Sequence, residues 1–121
     1  MNKAVYKKIP AITKGDTIGI FSSSAPIEAA RFKKGVSNLE ALGYKTYCPL
    51  DPSRYYGKND YAFSSASIEE RANSLNQLFK NPAIKLLIAA RGGDGALELL
   101  PYLDFESLSK TPKLIVGFSD I

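Results

Sequence analysis

The sequence predicts an α/β fold, a three-layer sandwich with a mostly parallel sheet and helices on both faces. Three observations carry this. Short β-branched runs alternate with segments whose apolar residues recur at helical spacing. One run, "IKLLIAA" (84–90), is almost continuously apolar, as a strand covered on both faces should be. The resulting order, β-α-β-α-β-α-β, is that of a parallel sheet with right-handed crossovers.

The elements follow in order. "DTIGIF" (16–21) is the first strand, and "SSSAP" is the loop after it, with Ser24 placed to cap a helix. From Ile27 to Leu42, Phe32, Val36 and Leu39 mark one helix face, and Gly43 is a natural stop. "YKTYCP" (44–49) is the second strand. "LDPSRYYGKNDYAFSSAS" (50–67) is rich in turn formers and predicts a long surface loop. Ser67 and Glu70 have capping-box spacing, and Ile68, Ala72, Leu75 and Phe79 stripe the helix behind them. Asn81-Pro82 ends that helix. "RGGDGALELL" is a glycine turn into a short helix stopped by Pro101. "KLIVGF" (113–118), a strand of buried character, delivers Ser119 and Asp120 to the sheet edge.

Composition bounds the function. At 121 residues, with 45% hydrophobic and 23% charged residues, the chain is one ordinary globular domain able to bury a core. No apolar run reaches membrane-spanning length, and the N-terminal stretch lacks the apolar core of a signal peptide. The expectations are a cytoplasmic protein and no membrane partner. Cys48 is the single cysteine, so no internal disulfide forms, and a free thiol suits a reducing compartment. The net charge is +4, with Lys3, Lys7, Lys8 and Lys14 in one cluster and Arg31, Lys33 and Lys34 in another. These clusters lack the interleaved aromatics of a nucleic-acid surface, so no nucleic-acid partner is expected. Cysteine, histidine and carboxylate spacing gives no metal site.

In open parallel sheets, ligands gather outside the carboxyl ends of the strands. Three loops should meet there: "SSSAP", "RGGDG" and "FSDI". A serine straight after an apolar strand can sit on a sharp turn with its oxygen exposed, beside a backbone N–H able to hold an oxyanion. Gly117-Phe118-Ser119-Asp120 gives the first half of that pattern. The other reading of Ser119 is a helix cap. Gly92 and Gly93 could bring backbone N–H groups against a phosphate, a carboxylate or a tetrahedral oxyanion, or simply form a tight turn. Arg91 could clamp a carboxylate or pair within the domain. Ser22, Ser23 and Ser24 end the first strand, where one hydroxyl suffices for capping. Asp120 is excluded as a base for Ser119, since adjacent side chains of an extended segment point apart. The chain contains no histidine. Without a base the hydroxyl is a poor nucleophile.

"KGDTIGIFSSSAP", "ALGYKTY", "SIEERANSLNQLFKNPAIKLLIAARGGDGALELLPYLDFE" and "PKLIVGFSDI", in that order, resemble the N-terminal half of the LD-carboxypeptidases, the muramoyltetrapeptide carboxypeptidases and microcin-immunity serine peptidases. The resemblance covers nearly the whole chain. It implies a flavodoxin-like or glutamine-amidotransferase-like N-terminal domain over residues 1–121. It also implies a serine hydrolase with a Ser-Glu-His triad, no cofactor and no metal. Ser119 would be the nucleophile, in the family's G-[YF]-S-D segment. The N–H groups of Gly92, Gly93 and Asp120 would line the oxyanion hole. Arg91, Asp94, Ser23 and Ser24 would be candidates for substrate contact. Asp94 departs from the aromatic residue more usual at its place. The family releases the terminal D-alanine of murein tetrapeptides during cytoplasmic peptidoglycan recycling. Its glutamate and histidine lie in a C-terminal domain, so this chain alone is expected to be inactive. An apolar face left bare by that domain would favour a homodimer. The alternatives are a microcin-type immunity peptidase and a stand-alone module binding a small anion.

Overall fold

The computed structural model of the chain describes residues 6–58 and 63–121. Lys3 and the middle of the 50–67 loop, residues 59–62, lie outside the described residues. The described chain runs β1 (Thr17–Phe21), α1 (Ala29–Ala41), β2 (Lys45–Tyr47), α2 (Ile68–Lys80), β3 (Leu86–Ala89), a 3-10 helix (Ala96–Tyr102), α3 (Phe105–Lys110) and β4 (Leu114–Val116). The four strands form one sheet of order β2-β1-β3-β4, and every pairing is parallel. The expected fold class is the observed one.

Strand parity divides the side chains between two layers. Phe21 and Leu87 fall on the face covered by α2 and pack with Leu75, Leu78, Phe79 and Ile84 to form the core. The other face carries Ile20 and Ile88, opposite Phe32, Val36 and Leu39 of α1. Here the packing is looser. No residue of α1 is buried, and a cleft of about 240 Å³ separates the helix from the sheet.

Local chemistry explains the ends of α2. The Ser67 hydroxyl accepts the Glu70 N–H, and the Glu70 carboxylate accepts the Ser67 N–H, a complete capping box. Lys80 is its last residue and Asn81 its C-cap, as Asn81-Pro82 predicts. The start of α1 differs from expectation. Its N-cap is Glu28, which makes no side-chain cap. Ser24 lies four residues upstream, because Ala25-Pro26-Ile27 continues as loop before the chain turns helical. The region after the glycine turn also differs. "ALELLPY" is a 3-10 helix with Pro101 inside it, and α3 follows as an unpredicted helix capped by Asp104, whose carboxylate accepts the Ser107 N–H. Finally, β4 is not buried. Leu114, Ile115 and Val116 are 49%, 43% and 43% exposed, because β4 is an edge strand bonded only to β3.

Candidate active site

The three expected loops do meet at the carboxyl ends of the strands, and direct contacts hold them together. The Ala25 N–H donates to the Gly92 carbonyl at 3.3 Å, joining the β1 loop to the glycine turn. The glycine turn also touches the segment after β4. A Cβ placed on Gly92 would lie 2.6 Å from the Phe118 carbonyl oxygen and 2.9 Å from the Ser119 Cβ. Gly93 is wedged on the other side. A Cβ there would lie 2.5 Å from the Ala25 Cβ, and its φ of 143° is one that side chains rarely adopt. The two glycines are thus required by protein packing: one lets the serine segment in and the other lets the β1 loop in.

Ser119 itself is exposed, with φ 69°, and it alone among the described non-glycine residues has a positive φ. Such a conformation costs about 1–3 kcal/mol and persists only where the surroundings over-determine it. It is also the backbone shape of a strand-to-turn elbow that presents a serine oxygen.

Asp120 is part-buried, and its Oδ2 faces two protein donors. The Ser24 hydroxyl lies 2.8 Å from Asp120 Oδ2 and 2.9 Å from the Asp120 carbonyl, and the Ala96 N–H donates to Oδ2 at 2.9 Å. These bonds, the Ala96 N–H first, hold the Asp120 carboxyl below its ordinary pKa, with the Arg71 charge adding to them.

Of the four residues read as substrate contacts, two are at the surface. Arg91 is exposed and donates to the Pro26 carbonyl at 3.0 Å, and Asp94 is exposed on the glycine turn. Ser23 and Ser24 are buried at 2% and 0% exposure. Ser24 directs its hydroxyl to Asp120. The hydroxyls of Ser22 and Ser23 bond no described residue.

Sequence reasoning missed Arg71. Its side chain is only 2% exposed, yet it carries a guanidinium into the layer beneath the site. Nε donates to the Ala66 carbonyl at 3.0 Å, and Nη1 donates to the carbonyls of Ser23 at 2.6 Å and Gly95 at 3.2 Å. Nη2 reaches the half-exposed Glu98 at 3.3 Å. A signal for it existed. Arg71 stands in helical phase with the buried Leu75 and Leu78, where a charge needs partners.

A parallel sheet with a strained, exposed serine after an edge strand, and a glycine turn packed beside it, is an α/β domain with the geometry in which a serine oxygen can be presented. The chain belongs to the Peptidase S66 family: residues 18–121 match its LD-carboxypeptidase N-terminal domain. It is 42% identical over 109 residues to the microcin C7 self-immunity protein MccF of Escherichia coli, covering 88% of this chain and 30% of that protein. A structure of that immunity protein in complex with aspartyl sulfamoyl adenosine superposes with a TM-score of 0.76 at 40% identity, over 89% of this chain and 32% of the other. The muramoyltetrapeptide carboxypeptidase from Oxalobacter formigenes superposes with a TM-score of 0.72 at 30% identity, over 86% and 33% of the two chains. The chain therefore spans about a third of the length of these relatives.

Proposed function

We propose that this domain supplies the nucleophile and part of the oxyanion hole of a serine LD-carboxypeptidase that releases the terminal D-alanine of murein tetrapeptides. Ser119 Oγ attacks the carbonyl of the L-to-D peptide bond. The N–H of Asp120, with those of the Gly92-Gly93 turn, receives the charge that develops on the carbonyl oxygen. The observation that carries this reading is the positive φ of exposed Ser119 beside Gly92. The proton of Ser119 needs a base, and this chain holds no histidine to take it. Asp120 is committed to Ser24 and Ala96. The base and its glutamate partner are assigned to the part of the protein that the relatives have beyond this domain. The 121-residue chain by itself is inactive.

The 42% identity to a microcin immunity protein favours a second reading, in which the substrate is an aminoacyl-nucleotide antibiotic. One chimaera tests both. Residues 6–121 replace the corresponding third of the Escherichia coli relative, and the product is offered a murein tetrapeptide and aspartyl sulfamoyl adenosine. Hydrolysis that disappears with Ser119→Ala is expected, and the substrate consumed decides between the readings. Hydrolysis that survives Ser119→Ala, or D-alanine release by the isolated chain, overturns the proposal.

A further inference from the structure

Ser119 holds a backbone shape that serine resists, so something must hold it there. Gly92 only makes room for it. The hydrogen bonds that anchor the segment belong to the next residue. Asp120 Oδ2 takes the Ala96 N–H from 24 residues back and shares the Ser24 hydroxyl, from 96 residues back, with the Asp120 carbonyl. One donor sits on the β1 loop and the other opens the 3-10 helix, and one cation fixes both. Arg71 Nη1 binds the carbonyls of Ser23 and Gly95, the residues immediately before Ser24 and Ala96. A single peptide unit, Gly95–Ala96, thus accepts from Arg71 through its oxygen and donates to Asp120 through its nitrogen.

We propose that the Asp120 carboxylate is a latch: it holds Ser119 in its left-handed conformation through Ser24 on the β1 loop and Ala96 at the start of the 3-10 helix, both fixed in place by the buried Arg71. Asp120 is then a positioning residue whose side chain never touches substrate, and this role rests on the nucleophile reading of Ser119. Its charge surroundings are mixed. Arg71 favours the ionised carboxylate. Glu98 on the 3-10 helix pairs with Arg71, and Asp94 and Arg91 lie on the glycine turn, Arg91 bonded to Pro26. The β1 loop contributes no charge between Ser22 and Ile27.

The test is made by NMR on this chain, without turnover. A strong intraresidue HN–Hα NOE reports positive φ at Ser119. It is expected in the native chain, lost in Asp120→Ala, and kept in Asp120→Asn, whose side-chain oxygen still accepts the Ala96 N–H. The amide shifts of Ala96 and Ser119 should titrate together in the native chain, below the range of an unpaired aspartate. Ser24→Ala should move that midpoint upward, and Asp120→Asn should abolish the titration. An unchanged Ser119 signature in Asp120→Ala overturns the latch, as does a Ser119 amide that ignores the titration seen at Ala96. If Asp120→Ala fails to fold, the native titration and Ser24→Ala decide. None of these readouts depends on Ser119 being a nucleophile, so a Ser119-independent hydrolysis would defeat the functional reading and leave the latch to be judged separately.

Discussion

Gly92 faces Ser119 across a gap too narrow to admit a side chain. A Cβ there would meet the Ser119 Cβ at 2.9 Å and the Phe118 carbonyl oxygen at 2.6 Å. Backbone cannot swing aside as a flexible side chain can. Gly92→Ala should therefore push the elbow off the glycine turn and destabilise the domain by about 1–3 kcal/mol, the usual cost of overpacking. Urea denaturation measures it. A Gly92→Ala chain as stable as the native one would mean that the elbow has slack.

Ser119 offers the complementary experiment. Its φ of 69° is free of strain only for glycine. Ser119→Gly should be more stable than Ser119→Ala by about 1 kcal/mol. Both variants lack the hydroxyl, so the difference reports the backbone strain relieved less the extra unfolded-state entropy of glycine. A Ser119→Gly chain less stable than Ser119→Ala by about 0.4–1 kcal/mol, the entropic cost of glycine alone, would mean that residue 119 is unstrained in solution.

Arg71 ties the site to the core. Replacing it by methionine keeps the buried volume but strands the carbonyls of Ser23 and Ala66, while Gly95 keeps the Glu98 N–H as a donor. Unpaired buried acceptors cost about 1–3 kcal/mol each, so a loss of about 2 kcal/mol or more is expected. Its ion pair contributes much less, because the Glu98 side chain is 55% exposed. Glu98→Gln should cost under about 1 kcal/mol. Comparable losses in the two variants would show that the ion pair, rather than the carbonyl bonds, holds Arg71.

The sheet and both long helices were legible in the sequence because each is written locally. The capping box at Ser67, the apolar run 84–90 and the stop at Asn81-Pro82 are contiguous signals. The meeting of the three loops was legible too, because a parallel sheet brings its strand ends together. What was hidden is the bonding among those loops. Ser24 reads as a cap from its neighbours, but its partner is Asp120, 96 residues away. The glycine pair suggests close approach to a ligand, but it does not reveal that Ser119 and Ala25 crowd the positions where its side chains would begin. Arg71 sat in view on a helical stripe, yet its partners come from three separate segments. The exposure of β4 was hidden for the opposite reason: an apolar strand looks the same in sequence whether or not anything covers it.

Cys48 is free and half-buried, and its thiol lies 3.1 Å from the Leu50 carbonyl. Burial, chiefly, pushes its pKa up to about 11. At pH 8 only about one thiol in a thousand is then ionised, and the thiolate is the nucleophile. Alkylation by iodoacetamide should be far slower than that of glutathione at the same pH and should become fast once urea unfolds the chain. Rapid labelling of the folded protein would place Cys48 in an environment more open than the one described.

Acid should weaken the fold in a defined window. Among the described residues, the folded state lowers the carboxyl pKa of four. Asp16 is lowered chiefly by the Thr13 N–H, Glu70 by Arg54, Asp104 by the Ser107 N–H, and Asp120 by the Ala96 N–H. A group whose folded pKa is depressed stabilises the fold above its unfolded pKa and loses that contribution as pH falls through the folded value. Unfolded aspartate and glutamate titrate near roughly 3.9 and 4.3. With no histidine in the chain, nothing in this set responds between pH 5 and 7. The thermal midpoint should therefore be flat from pH 7 to about 5 and fall steeply below about 4. Asp104→Asn should shallow that fall, since it removes one of the four groups while its side-chain oxygen can still cap α3. A midpoint that already drops between pH 7 and 6, or an acid limb that Asp104→Asn leaves unchanged, would assign the acid sensitivity to other groups.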